Sequence, residues 1–122
     1  MKKILIIFIL LLSSASVNAI TYEDAIHSYR PMALYIYMNG CPYCERFDSV
    51  FDNARIKYGS RYNFVKQEYR SGMMPTLCNT WRVKSFPFMA LINPKTNSGK
   101  RIASECMWNS NCLDRSFQDF RD

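Results

Sequence analysis

Apolar and polar positions alternate along this chain with two distinct periods, and the changes of period mark its elements. Thr21 followed by Asp24 has the form of a capping box, so a first short helix is predicted over Tyr22 to Tyr29, closed by Pro31. Ala33 to Met38 is an unbroken apolar run bounded by Asn39-Gly40 and reads as a buried strand. The period then lengthens. Phe47, Val50, Phe51 and Ala54 fall at i, i+3, i+4 and i+7, with Glu45, Arg46, Asp48, Ser49 and Asp52 on the other face, which predicts an amphipathic helix opened by Pro42. Beyond Gly59, Tyr62 to Glu68 alternates as a second strand, and Thr76 to Val83 forms a short helix after Pro75. Phe86 to Ile92 is an apolar strand, the stretch from Asn93-Pro94 to Ser98-Gly99 is a turn, and Lys100 to Ser104 returns as an edge strand. Leu113, Phe117 and Phe120 share a face of a closing helix over Leu113 to Phe120. The order β-α-β-α-β-β-α, after a leading helix, predicts an α/β domain in which a mixed sheet of about four strands is covered by helices.

The amino-terminal end follows neither period. Lys2 and Lys3 precede a nine-residue apolar run, Ile4 to Leu12, followed by small and polar residues ending in Val17-Asn18-Ala19. This is the three-part form of a secretory signal peptide, and the run is far short of the ~20 residues that span a bilayer. Residues 1–19 are therefore expected to be removed, leaving 20–122, about one hundred residues, as one domain with no stable membrane insertion. The expected location is periplasmic or secreted. Net charge is +6, and +4 without Lys2 and Lys3 (14 basic against 10 acidic residues). These charges are scattered, a weak hint of acidic partners and no pattern for nucleic acid.

Export changes how the five cysteines are read, because disulfides form and persist outside the cytosol. Cys41-Pro42-Tyr43-Cys44 follows the buried strand and opens the amphipathic helix. Thiol–disulfide exchange needs a thiolate that attacks a disulfide and a second thiol that resolves the mixed disulfide. At a helix start, unpaired N–H groups and the positive end of the dipole favour a thiolate at Cys41, while Cys44, one turn in, faces a more buried environment and is the resolving thiol. The alternatives are an inert bridge or a zinc clip. Zinc wants a second Cys-x-x-Cys or a Cys/His set, and the chain has only His27. Delivery of Cu(I) by the two thiolates is chemically open, but no Met-rich tract accompanies them. No cofactor and no metal are expected.

The motif Cys41-Pro42-Tyr43-Cys44 resembles the glutaredoxin active-site sequence, and Ala33 to Phe51 is similar to exported bacterial thioredoxin-like proteins. Ser85-Phe86-Pro87-Phe88, entering an apolar strand, resembles the cis-proline loop of that family, and the likeness extends from Ala33 to Phe120. It implies a thioredoxin-like fold and a thiol–disulfide oxidoreductase acting on protein substrates with cysteines in the cell envelope, recycled by a redox partner. It further implies a cis Pro87 and pairing of the Phe86 backbone with an extended substrate strand. The chain departs from thioredoxin proper in having Gly40 before the first cysteine, Tyr35 where a buried aspartate stands, and a bulky Phe86. Lys66 aligns with a buried lysine of thioredoxin but reads here as an exposed strand residue.

Three cysteines lie outside the motif. Cys106 and Cys112 enclose a short loop, cheap to close, and are expected to form a structural disulfide stapling the last helix to the sheet. Cys78 is then a core thiol or an alternative partner for either. Tyr35, Tyr37, Phe47, Phe51, Phe88 and Phe117 are core candidates, Met73-Met74 a loop packed on the core, His27 a solvated residue, and Trp108 a surface residue able to meet a partner. A second reading of the whole makes the domain a redox-inert binding or assembly component of an envelope complex.

Overall fold

The computed structural model describes residues 20–120; the expected signal peptide, 1–19, lies outside them. The elements are α1 (Tyr22–Ala25), β1 (Met32–Tyr37), α2 (Pro42–Tyr58), β2 (Asn63–Glu68), α3 (Met74–Thr80), β3 (Phe88–Asn93), β4 (Ser98–Arg101), α4 (Ser104–Met107) and α5 (Ser110–Asp119). The four strands form one sheet in the order β2-β1-β3-β4. β1 and β2 are parallel, as an intervening helix requires, whereas β1–β3 and β3–β4 are antiparallel.

Alternation along the central strands divides the core into two layers. Ala33 and Tyr35 of β1 and Met89 and Leu91 of β3 face α2 and α5, where Phe47, Phe51, Phe117 and Leu113 pack on them. Met32, Leu34 and Ile36, with Ala90 and Ile92, face α1 and α3 and meet Ala25, Met74 and Leu77. Each central strand is apolar on both faces because both faces are covered. Tyr37, expected in the core, is half-buried at the end of β1, and of the methionine pair Met74 is buried while Met73 is 43% exposed.

Several boundaries differ from those expected, each for a local reason. α1 is a single turn, since only Ala25 is buried and the chain bends where the Ser28 hydroxyl accepts the Arg30 amide. α3 starts at Met74 with Pro75 in its first turn and ends before Arg82, whose φ of 53° is left-handed. β3 begins at Phe88, leaving Phe86 and Pro87 outside the ladder. β4 spans Ser98–Arg101 rather than Lys100 to Ser104, and Ser104 instead opens α4, an unexpected turn of helix. α5 begins three residues early because the Asn109 side chain caps it by accepting the Cys112 amide at 3.0 Å.

Candidate active site

The chain leaves β1 through Asn39-Gly40. Gly40 has a φ of 77°, and nothing lies within 4 Å of where its Cβ would be, so the demand for glycine is conformational rather than steric. This turn delivers Cys41 to the N-cap of α2, with Pro42 at the first helical position. The cysteine itself caps the helix: the Cys44 amide donates to Cys41 Sγ at 3.1 Å. Cys41 and Cys44 are both free thiols and both buried, at 6% and 3% exposure, so burial alone does not separate their roles.

Their neighbours do. The Cys41 thiol donates to the Phe86 carbonyl at 3.8 Å. The Phe86–Pro87 peptide is cis, and the Phe86 ring, half-buried, packs on Tyr69 with centroids 5.2 Å apart. The loop between α3 and β3 therefore brings the Phe86 carbonyl to the Cys41 sulfur. Tyr43 of the motif points away: it is 59% exposed, with the Arg46 guanidinium 4.7 Å over its ring.

Cys44 looks inward, onto a polar cluster that sequence reasoning missed. The single Tyr35 hydroxyl proton is shared between the Cys44 carbonyl at 2.8 Å and Asp48 Oδ1 at 2.9 Å, and Lys66 Nζ lies 3.1 Å from the same carboxylate oxygen. A cleft of about 200 Å³ opens beside it, lined by Cys41, Cys44, Asp48 and Lys66. Burial pushes the Cys44 thiol up to about 11, its hydrogen bond with Cys41 and the negative charges of Cys41 and Asp48 add to this, and a hydrogen bond with the Met38 backbone opposes it. Tyr35 is raised too, first by burial and then by its bond to Asp48, so it remains a neutral donor at physiological pH. Asp48 had been placed on the solvent face of α2. Its distance of four residues from Cys44 sets it one turn along the same edge, and Lys66 is in register with Tyr35 across β1 and β2. Those two spacings were the signal.

The remaining cysteines lie apart. Cys106 and Cys112 are joined, with S–S 2.01 Å, and tie α4 to α5. Cys78 is free and half-buried on α3, on the opposite layer of the core, and burial raises its thiol. His27 is exposed. No group of three or more metal-ligating side chains occurs among the described residues.

The fold is shared with solved thioredoxins. Mitochondrial thioredoxin 3 of Saccharomyces cerevisiae superposes with a TM-score of 0.62 at 17% identity, covering 78% of this chain and 83% of that one. Deadhead, a germline-specific thioredoxin of Drosophila melanogaster, gives 0.64 at 16% identity, covering 84% and 98%. A thioredoxin from Thermus thermophilus gives 0.58 at 18%, covering 72% and 73%. The chain has a thioredoxin-like fold. At these identities the likeness is one of fold, and no family model or curated protein matches the sequence.

Proposed function

We propose that the protein is a thiol–disulfide oxidoreductase acting on cysteine-containing protein substrates through Cys41 and Cys44. The observation that carries this reading is the asymmetry of the pair: Cys41 caps α2 with its thiol on the Phe86 carbonyl of the cis-proline loop, whereas the Cys44 carbonyl is held by Tyr35, which also bonds Asp48. In the reducing direction the Cys41 thiolate attacks one sulfur of a substrate disulfide. That disulfide breaks, a Cys41–substrate bond forms, and one substrate thiolate leaves. Cys44 then loses its proton and attacks Cys41 Sγ, closing the Cys41–Cys44 disulfide and releasing the second substrate thiolate. Two electrons pass from the protein dithiol to the substrate, and the reverse sequence oxidises a substrate dithiol. Phe86 supplies backbone for an extended substrate segment, and a redox partner returns the pair to its starting state.

We place this activity in the cell envelope, in the periplasm or outside the cell, on the signal-peptide pattern of residues 1–19 and with 20–122 as the mature domain. The raised Cys44 thiol fits the role of resolving group, which has to stay protonated until the mixed disulfide forms. The test is a C41S/C44S double variant produced with its own leader in an exporting bacterial host. Loss of disulfide exchange in the envelope fraction, with circular dichroism unchanged, supports the reading. Retention of the biological activity by the double variant makes the domain a redox-inert binding component instead.

A further inference from the structure

A second cleft is lined in part by Ser85, Pro87 and Phe88 of the proline loop. It has a volume of about 320 Å³, and Pro87, Phe88, Ile102 and Met107 provide its apolar surface. Arg82, Lys84 and Arg101 also line it, all three exposed, and the lining includes no Asp or Glu. These cations come from two segments: Arg82 and Lys84 from the loop between α3 and β3, and Arg101 from the last residue of β4. None forms a salt bridge among the described residues.

Two of the cations are held in place by the fold. Arg101 donates to the Trp81 carbonyl and lies 5.1 Å over the Phe88 ring, so its charge is fixed above the apolar floor. Arg82 sits at φ 53°, just past the end of α3, where its amide donates to the Asn79 carbonyl at 3.2 Å and the Val83 amide donates to Cys78 at 2.9 Å. Glycine usually occupies such a left-handed position after a helix; an arginine there carries a backbone penalty and brings a charge to the cleft. Ser104 and Met107 of α4 form the far wall, anchored to α5 by the Cys106–Cys112 disulfide.

We infer that this cleft selects acidic protein segments, binding carboxylates that lie within about four residues of the cysteine being exchanged, a span of ~13 Å in extended chain. The inference rests on the proposed exchange activity and names its substrate class. Pro87 lines the cleft and follows Phe86, so a substrate strand laid along Phe86 would bring its neighbouring side chains to guanidinium and ammonium groups that have no carboxylate partner among the described residues.

The test uses the full mature protein, reduced, and three peptides with an identical internal disulfide whose flanking pair of residues is Glu, Gln or Lys. The readout is the second-order rate of protein dithiol oxidation. At low ionic strength the Glu peptide is expected to react about tenfold faster than the Lys peptide, with the ratio approaching one in ~1 M salt. An R82Q/K84Q/R101Q variant should lose the preference. A control with the same charge change at the far end of the sheet, R30Q/R55Q/R61Q, should keep it, and an R82E/K84E variant should favour the Lys peptide. Equal rates for the three peptides, or a preference that survives R82Q/K84Q/R101Q, overturn the inference and leave the exchange reading intact. Absence of exchange with all three peptides removes the exchange reading itself, and this inference with it.

Discussion

The molecule carries two cysteine pairs, each straddling the start of a helix, and they have opposite characters. Cys41 and Cys44 are free at the head of α2; Cys106 and Cys112 are bonded at the head of α5. Burial does not divide them, since Cys106 at 8% and Cys41 at 6% exposure are both buried. The cap does. In α2 the cysteine sulfur is itself the cap and receives the amide of the second cysteine, so the pair owns the helix terminus. In α5 Asn109 is the cap and takes the Cys112 amide, while Cys106 Sγ lies 3.5 Å from the Ser116 hydroxyl inside the core. The first pair also meets the proline loop, through the Phe86 carbonyl, whereas the second lies between two helices it holds together. Which groups occupy the helix end and what the sulfur meets beside it separate the free pair from the bonded one.

The widest gap between the pairs should appear in catalysis. A C41S variant is expected to lower the rate of disulfide exchange by at least about 10³, as removal of an attacking nucleophile does. C106A/C112A should stay within about threefold of wild type; a comparable collapse in both, with both folded, would erase the distinction.

Stability should show the reverse order. Removing the second bridge by C106A/C112A is expected to lower unfolding free energy by about 2–3 kcal/mol, the loop-entropy value for a short closed loop. For a domain of this size that moves the thermal midpoint down by roughly 10–20 °C. C41A, by contrast, removes only the sulfur that caps α2 and should cost about 1 kcal/mol.

The third expectation concerns pH. The Cys44 thiol titrates near 9 when the chain is unfolded and at about 11 when folded, chiefly because of burial. The folded state therefore holds a proton that the unfolded state loses between those values, and stability must fall as pH rises from about 9 to 11, with the full contribution present below 9. Urea titrations of the reduced protein should show this decline, and it should be smaller in C44A. Cys78 contributes to both proteins and cancels in the difference. Identical profiles would mean that Cys44 is not held in the protonated form.

Two smaller effects sharpen the comparison. Y35F removes the hydroxyl bonded to Cys44 and Asp48 and should cost about 1–2 kcal/mol in urea unfolding, with an unchanged slope. R82G relieves a left-handed arginine and should stabilise by about 0.5–1 kcal/mol while weakening any preference for acidic substrates.

The fold was largely legible because each strand and helix reports its own burial. Ala33, Tyr35 and Leu34, Ile36 sort onto opposite faces of one strand, and Phe47, Phe51 and Ala54 repeat at helical spacing. The dithiol was legible for a related reason: its position depends only on a strand followed by a helix. What escaped depends on contacts between segments distant in sequence. Asp48 looks like a solvent-facing helix residue until β2 brings Lys66 beside it and Tyr35 reaches up from β1. α4 has too few residues for a period to show, and the early start of α5 is set by the Asn109 cap rather than by apolar spacing. The cationic cleft joins Arg82 and Lys84 of one loop to Arg101 of β4, and only the β3–β4 pairing brings them together.

The central claim is that Cys41 attacks and Cys44 resolves. Its most direct test is mass mapping of a C44S variant after exposure to a disulfide-linked protein substrate under non-reducing conditions. A stable mixed disulfide is expected on the peptide containing Cys41, absent from C41S/C44S and rapidly resolved in wild type. An adduct on Cys78 instead, or none at all while the wild-type protein exchanges, would contradict the account.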